Sequence, residues 1–331
     1  MLVDGVLLAV SFAMMIVGAF VFTNAVEWAG VRMNLGHGAV GSVLAAVATA
    51  MPESLVPAVA IIKGSEGGQI AIGAIIGAPF LLATLAMVVC GIAAASYRAR
   101  RGRRTLTLDR HTMTQDLLVF GAALSVAIVL GRIDARWAHI AGAAVLVAGY
   151  GGYLVRTIRR GKEQGGDEEP GRLFFDPSKH DPPNGWQIIV QLVFGIGLLV
   201  GGAELFVTVI ENLAHEIGAD PLVLTLVIAP LATELPEKLN SVLWIREGKD
   251  TLALGNITGA MVFQSMLPVA LGMVFTDWRL AGPASTAAII ALAGAGLAMV
   301  AIRRGGRFTA PFIGGWTALY AGGIVAIVAL T

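Results

Sequence analysis

Residues 48–54 read ATAMPES, and they lie in an almost entirely apolar segment that runs from Gly41 to Lys63. Pro52 and Glu53 are unexpected there, because proline removes a backbone donor from a helix and an ionisable side chain at membrane depth is costly. A related stretch, ATELPEK, occupies residues 232–238. The two stretches predict a pair of interrupted hydrophobic helices, each carrying an acid for a functional reason.

The composition around these stretches is that of a membrane protein. Of the 331 residues, 56% are hydrophobic and only 14% are charged, which excludes an ordinary soluble domain. The apolar stretches are continuous rather than alternating, which argues against a β-barrel. We therefore predict an all-α membrane protein with ten transmembrane helices, of which helices 2 and 7 are interrupted. The predicted spans lie near residues 5–30, 38–63, 69–97, 116–131, 137–155, 187–213, 221–245, 251–276, 280–302 and 309–330.

The two halves of the chain resemble each other. Without gaps, Thr49 aligns with Thr233 and Glu53 with Glu237. After two residues are dropped from the preceding loop, the glycine-rich GAIIG at 73–77 matches GNITG at 255–259. We read both glycine-rich stretches as sites of close helix packing. Each half has five predicted helices, so the second copy enters the membrane in the opposite orientation. Inverted repeats of this kind are typical of secondary transporters whose substrate site lies near the midplane.

These halves define the predicted domains. We expect a first five-helix repeat over residues 1–159, with its α1 motif at about 41–87, and a second repeat over 186–331, with its α2 motif at about 221–272. Between them, residues 160–185 are polar and rich in proline and glycine, which is typical of a linker.

Lysine and arginine are concentrated on one side of the predicted membrane. That side receives the linker and the run RARRGRR at 98–104, whereas the other receives only Lys63, Arg132, Arg136 and Arg279. The positive-inside rule places the basic side, including the linker, in the cytoplasm. Both termini then lie outside, and we expect residence in the cell membrane. The alternative for RARRGRR is binding to nucleic acid or lipid, but topology explains it more simply, and we predict no nucleic-acid partner.

The repeated Thr-x-x-Pro-Glu unit suits a hard cation. Each proline frees backbone carbonyls about one turn earlier, near Thr49 in one helix and Thr233 in the other, and Glu53 or Glu237 follows directly. Carboxylates and carbonyls together form an all-oxygen site suited to Ca²⁺. The alternative is that each proline only kinks its helix and each glutamate makes a buried hydrogen bond. The repetition of the unit favours a binding site.

On these motifs the sequence resembles the sodium/calcium exchanger family of the cation/Ca²⁺ antiporter superfamily, in which each inverted repeat carries a G-T-S-x-P-E helix followed by a G-N-x-x-G-S-N helix. The resemblance implies that Glu53 and Glu237 are acidic ligands for Ca²⁺ and Na⁺, and that Thr49 and Thr233 supply backbone carbonyls. Asn256, in the retained Gly-Asn of the second repeat, belongs to the same implied site.

Several family positions differ. The serine after the threonine is Ala50 in one repeat and Glu234 in the other, and the later amide or acid is Leu82 in one and Gln264 in the other. We expect Glu234 and Gln264 to modify the site. Glu234 lies one helical turn from Lys238, so either the two form an i,i+4 pair or the Lys238 ammonium occupies part of a former Na⁺ site.

The implied function is antiport of Ca²⁺, or a similar hard cation, against Na⁺ by alternating access, because the same carboxylates serve both ions. H⁺ is the alternative counter-ion, since hydroxyl ligands for Na⁺ are missing. A passive cation channel and a non-transporting scaffold or sensor are further alternatives. No enzyme signature occurs. The expected partners are inorganic cations and the lipid bilayer, with no tightly bound cofactor and no required oligomer.

Overall fold

The structure is a computed structural model that describes residues 2–33, 51–64, 67–99, 108–161, 171–176, 183–306 and 308–330. Within these ranges the secondary structure is entirely helical. The first half contains α1 (Leu2–Arg32), α2 (Met51–Lys63), α3 (Gly67–Leu81), α4 (Met87–Ala99), α5 (Arg110–Leu130) and α6 (Arg136–Gly161). A π-helical segment, Leu82–Ala86, joins α3 to α4. The second half contains α7 (Gly185–Ile217), α8 (Pro221–Glu247), α9 (Asp250–Phe275), α10 (Gly282–Arg303) and α11 (Ala310–Val328).

Most of the described helices are membrane helices. Eight are long and apolar enough to cross a bilayer: α1, the continuous helix Gly67–Tyr97 formed by α3 and α4, then α5, α6, α7, α9, α10 and α11. The first part of α8, Pro221–Glu234, is a shorter apolar helix. The described part of the second predicted span, α2, has 13 residues. The chain is therefore an integral membrane protein, and the secondary structure of its described residues is helical, as predicted.

The predicted interruption of the seventh helix is wrong. α8 runs without a break from Pro221 to Glu247 and passes through Pro236. A proline inside a helix removes one hydrogen bond and bends the helix, while the turns on either side keep theirs. For the second helix, residues 34–50 lie outside the described residues, so the predicted interruption there remains a prediction.

The packing order places α3, α8 and α9 at the centre. α3 is buried along nearly its whole length and packs against α2, α8, α9 and α10. α1 and α7 lie along each other at one side. On the other side, α5 and α6 both pack against α9 and contact each other much less, so α9 lies at the base of the gap between them.

Glycines allow α3 to approach α8 closely. A Cβ atom built on Gly73 would lie 2.5 Å from the carbonyl oxygen of Leu222, and one on Gly77 would come closer still to that of Leu226. The prediction of close packing at GAIIG is therefore confirmed. For GNITG the described residues show no such contact, since a Cβ atom on Gly255 would meet none of their atoms within 4 Å. There α9 borders a cavity between α5 and α6 rather than a neighbouring backbone.

The described residues of the linker, 171–176, are tied to α1 and α7. The side chains of Asn24 and Trp28 donate to the carbonyl oxygen of Gly171 at 2.9 and 2.8 Å. Gln191, fully buried, donates to Asn24 Oδ1 at 2.9 Å and accepts from the backbone N–H of Phe175 at 2.9 Å. This part of the linker is thus fastened to the ends of two membrane helices.

Candidate cation-binding site

Glu53 lies in the first turn of α2, and its side chain is only 6% exposed. α2 packs against α3 and α7 and also contacts α8 and α9. Ionising an acid that is buried among apolar helices is costly, and acids within membrane spans mark functional sites by default. Its predicted companion Thr49 lies outside the described residues.

Glu234 is held by two side chains. It is 1% exposed, and its Oε2 lies 3.2 Å from Nζ of Lys238, one turn later on α8, where the lysine side chain is itself 5% exposed. Gln264 on α9 donates its amide to Glu234 Oε1 at 3.3 Å. The i,i+4 pair predicted from the sequence is therefore present, and it is supplemented by a contact from a second helix that the spacing did not predict.

The Glu234–Lys238 pair sets the charge balance of the site. A buried carboxylate and a buried ammonium at this distance neutralise each other, and their attraction offsets part of the cost of removing both charges from water. Gln264 is neutral, and its Oε1 is buried without a hydrogen-bond donor among the residues that the structure describes. Buried polar atoms normally have a partner. The Oε1 atom of Gln264 is consequently suited to be a ligand of a cation.

The remaining predicted residues lie on the same two helices. Thr233 is buried on α8, and its hydroxyl donates to the carbonyl oxygen of Ala229 within that helix at 3.3 Å. The backbone position of Glu237 is in α8, but its side chain lies outside the described part of the structure. Asn256 is half-buried on α9. The structure thus brings together Glu234, Lys238 and Gln264, and places Thr233 one residue before this cluster.

One buried acid was missed by the sequence reasoning. Asp116 on α5 is 3% exposed and receives hydrogen bonds from Tyr153 on α6 and Thr258 on α9. It belongs to no motif. The available signal was its position as an acid at the edge of the apolar stretch 116–131, since acids within membrane spans are functional by default.

A sequence model of one family covers most of the chain. The model, described as sodium/calcium exchanger protein, matches residues 4–159 and again residues 187–329. The chain belongs to this family. The resemblance drawn from the Pro-Glu motifs is therefore confirmed, and with it the assignment to transporters rather than to a family of catalysts.

Curated relatives of this family member include two bacterial membrane proteins. The chain is 27% identical over 274 residues to the putative antiporter CaxA of Alkalimonas amylolytica, covering 83% of this chain and 81% of CaxA. It is 23% identical over 244 residues to the inner membrane protein YrbG of Escherichia coli strain K12, covering 72% of this chain and 69% of YrbG.

Solved structures share the fold. The H⁺/Ca²⁺ exchanger CAX superimposes with a TM-score of 0.73 at 15% identity, over 99% of this chain and 86% of CAX. The sodium-calcium exchanger NCX_Mj superimposes with a TM-score of 0.61 at 20% identity, over 98% of this chain and 99% of NCX_Mj. At such identities the likeness describes the fold alone, and both kinds of exchanger share it.

Proposed function

We propose that this family member is a secondary antiporter that moves Ca²⁺, or a similarly hard cation, by alternating access. The observation that carries the proposal is the burial of Glu53, the acid of the first Thr-x-x-Pro-Glu unit, which is only 6% exposed in α2. An acid buried in a membrane span marks a functional site by default, and a bound cation or a proton can compensate its charge. Exchange of the compensating ion across the membrane is what an antiporter performs.

In this proposal Glu53 and Glu237 are the charged ligands, one from each repeat. Thr49 and Thr233 contribute backbone carbonyls, while Gln264 Oε1 and Asn256 add amide oxygens. Such a mixture of carboxylate, carbonyl and amide oxygens is the ligand set that Ca²⁺ prefers. One chain supplies the whole set, so the proposal requires no oligomer.

The architecture we propose consists of ten transmembrane helices in two inverted five-helix repeats. The linker at 160–185 would separate a first repeat over 1–159 from a second over 186–331. The linker and the basic loops would face the cytoplasm of a cell-membrane protein, and both termini would face outward. The family model, which matches 4–159 and 187–329 separately, supports this division.

For the counter-ion, the geometry around Glu234 favours H⁺. Family resemblance implies Na⁺, but Glu234 replaces a serine and is already neutralised by Lys238 at 3.2 Å. The ammonium occupies Glu234 Oε2, an oxygen that a Na⁺ at the former serine position would need as a ligand. Glu53 and Glu237 can instead be neutralised by one proton each, which balances one Ca²⁺. Na⁺ remains the second candidate, supported by the family's name.

The test is Ca²⁺ uptake into proteoliposomes with the Na⁺ gradient and the pH step imposed separately. We expect a pH step, acid inside, to drive Ca²⁺ inward without Na⁺, and Glu53→Gln and Glu237→Gln each to abolish uptake. Uptake driven only by a Na⁺ gradient would assign Na⁺ as the counter-ion. Flux that never runs uphill against either gradient would contradict antiport and indicate a channel.

A further inference from the structure

Asp116 lies outside the proposed cation site but is bound to the helix that contributes to it. Thr258 on α9 donates its hydroxyl to Asp116 Oδ2 at 2.7 Å, and Tyr153 on α6 donates to Oδ1 at 3.1 Å. Asp116 is 3% exposed and Thr258 is 2% exposed. Each carboxylate oxygen therefore receives a hydroxyl from a different helix, and three helices meet at one buried group.

The bond from Thr258 is short enough to be charge-assisted. The same hydroxyl lies 3.3 Å from the carbonyl oxygen of Gly255 in its own helix, where a threonine in a membrane helix commonly donates. At 2.7 Å the carboxylate is the closer acceptor. Aromatic contacts reinforce the arrangement, because Tyr153 stacks on Tyr150 and Tyr150 meets Phe263 of α9 edge-on, with ring centroids 5.6 Å apart.

This contact lies on a different face of α9 from the proposed ligands. At 100° per residue, Asn256 is about 160° and Gln264 about 120° from Thr258 around the helix axis. Gln264, two turns further along, returns to within about 80° of Asn256. Gln264 does reach Glu234 on α8. Thr258 is thus bound to Asp116 of α5, which Tyr153 of α6 also contacts, while the amide of Gln264 reaches α8 from another face of α9.

A small rotation of α9 about its axis would change the distances between its ligand atoms and a bound cation. Side-chain tips lie about 5–6 Å from a helix axis, so a rotation of about 10° moves a tip by about 1 Å. Ligand distances to a metal ion are set to within about 0.2 Å. At Gly255 no described atom lies within 4 Å of a Cβ position, and that turn borders a cavity of about 790 Å³ between α5 and α6.

We propose that Asp116 is a positioning residue that fixes the rotation of α9 through Thr258 and thereby sets the affinity of the cation site from outside it. The inference rests on the proposed function, since it assumes that Asn256 and Gln264 face the transported ion. Groups that orient metal ligands in this way typically change metal affinity 10–100-fold when they are removed.

The test compares Thr258→Val, which removes the hydroxyl while keeping the shape, with Thr258→Ser, which keeps a hydroxyl. Proteoliposome uptake of ⁴⁵Ca²⁺ gives the KM and the maximal rate of each variant. We expect Thr258→Val to raise the KM for Ca²⁺ about tenfold or more and Thr258→Ser to stay near the wild-type value. Tyr153→Phe should raise the KM in the same direction.

The control is Thr225→Val, which removes an equally buried hydroxyl whose bond, 2.8 Å to the carbonyl oxygen of Pro221, stays within α8. We expect its KM to be unchanged. Thermal unfolding of each variant in detergent, with and without Ca²⁺, shows whether the protein is folded and supplies a second measure of Ca²⁺ affinity.

Two outcomes would overturn the inference while leaving the proposed function intact. One is an unchanged KM in folded Thr258→Val, beside a Glu53→Gln variant that has lost transport. The other is a shifted pH profile at unchanged KM in Asp116→Asn, which would assign the carboxylate to proton movement. If Glu53→Gln transports Ca²⁺ normally, the proposed function itself has failed, and the inference fails with it.

Discussion

Removing the Lys238 ammonium should destabilise the protein strongly. The ammonium lies 3.2 Å from Glu234 Oε2, and at an effective dielectric constant of about 20 the attraction at that distance is about 5 kcal/mol. Lys238→Met keeps the length and apolar stem of the side chain but removes the ammonium from beside Glu234, which is 1% exposed. Breaking a buried pair in this way costs about 3–5 kcal/mol.

A second lysine–glutamate pair provides the matched control. Lys249 Nζ lies 3.3 Å from Glu247 Oε2, nearly the same distance, but the two side chains are 47% and 55% exposed. Water and salt screen this pair, so Lys249→Met should cost less than about 1 kcal/mol. Because the two N–O distances are nearly equal, a difference in stability between the two variants reports the effect of burial on the ion pair.

The assay is thermal unfolding of detergent-purified protein in Na⁺-free buffer at pH 7.5. We expect Lys238→Met to lower Tm by about 5 °C or more and Lys249→Met to leave it nearly unchanged. The double variant Glu234→Gln/Lys238→Met should recover most of the loss, because no buried charge remains. Equal Tm values for the two single lysine variants, or a double variant no more stable than Lys238→Met, would refute this account of the pair.

Three further predictions concern packing, the linker and pH. Gly73→Ala should lower Tm and expression because its Cβ atom would meet the Leu222 carbonyl oxygen. Gly68→Ala in the same helix should be neutral or slightly stabilising, because its Cβ atom would meet no described atom within 4 Å. A tolerated Gly73→Ala would contradict the close approach of α3 to α8. Gln191→Leu removes buried hydrogen bonds to α1 and the linker and should cost about 1–3 kcal/mol and speed proteolysis of the linker, while unchanged cleavage would show that the linker is held by other contacts. Asp109 caps α5, and hydrogen bonds from the hydroxyl and N–H of Thr112 and the N–H of His111 lower its pKa. The stabilisation is therefore complete above about pH 4 and is lost as the pH falls through the lowered value, so Asp109→Ala should increase amide exchange in the first turn of α5 at pH 7 but not in strong acid; an equal effect at both pH values would contradict capping by the carboxylate.

Membrane helices and local pairs could be predicted from the sequence because both depend on residues close together in the chain. The predicted span 251–276 became α9 at Asp250–Phe275, and the Glu234–Lys238 contact follows from i,i+4 spacing on one helix. The continuity of α8 through Pro236 was not predicted. A proline can either break a helix or bend it, and the choice depends on packing that local sequence does not specify.

Hydrogen bonds between different helices could not be predicted from the sequence. The bond from Gln264 to Glu234 and the meeting of Asp116 with Thr258 join residues that are 30 and 142 positions apart. Nothing in their spacing distinguishes these from other pairs of polar residues. The π-helical turn at Leu82–Ala86 was also unpredicted, since its sequence, LATLA, has the apolar character of the helices on either side.

The central claim is that Glu53 and Glu237 form one dehydrated site that holds a single divalent ion. Equilibrium ⁴⁵Ca²⁺ binding to the purified protein tests it most directly, with wild type, Glu53→Gln and Glu237→Gln measured side by side. The account predicts one Ca²⁺ per chain in the wild type and a loss of high-affinity binding in each single variant. Wild-type affinity in either variant, or two independent Ca²⁺ ions per chain, would contradict it.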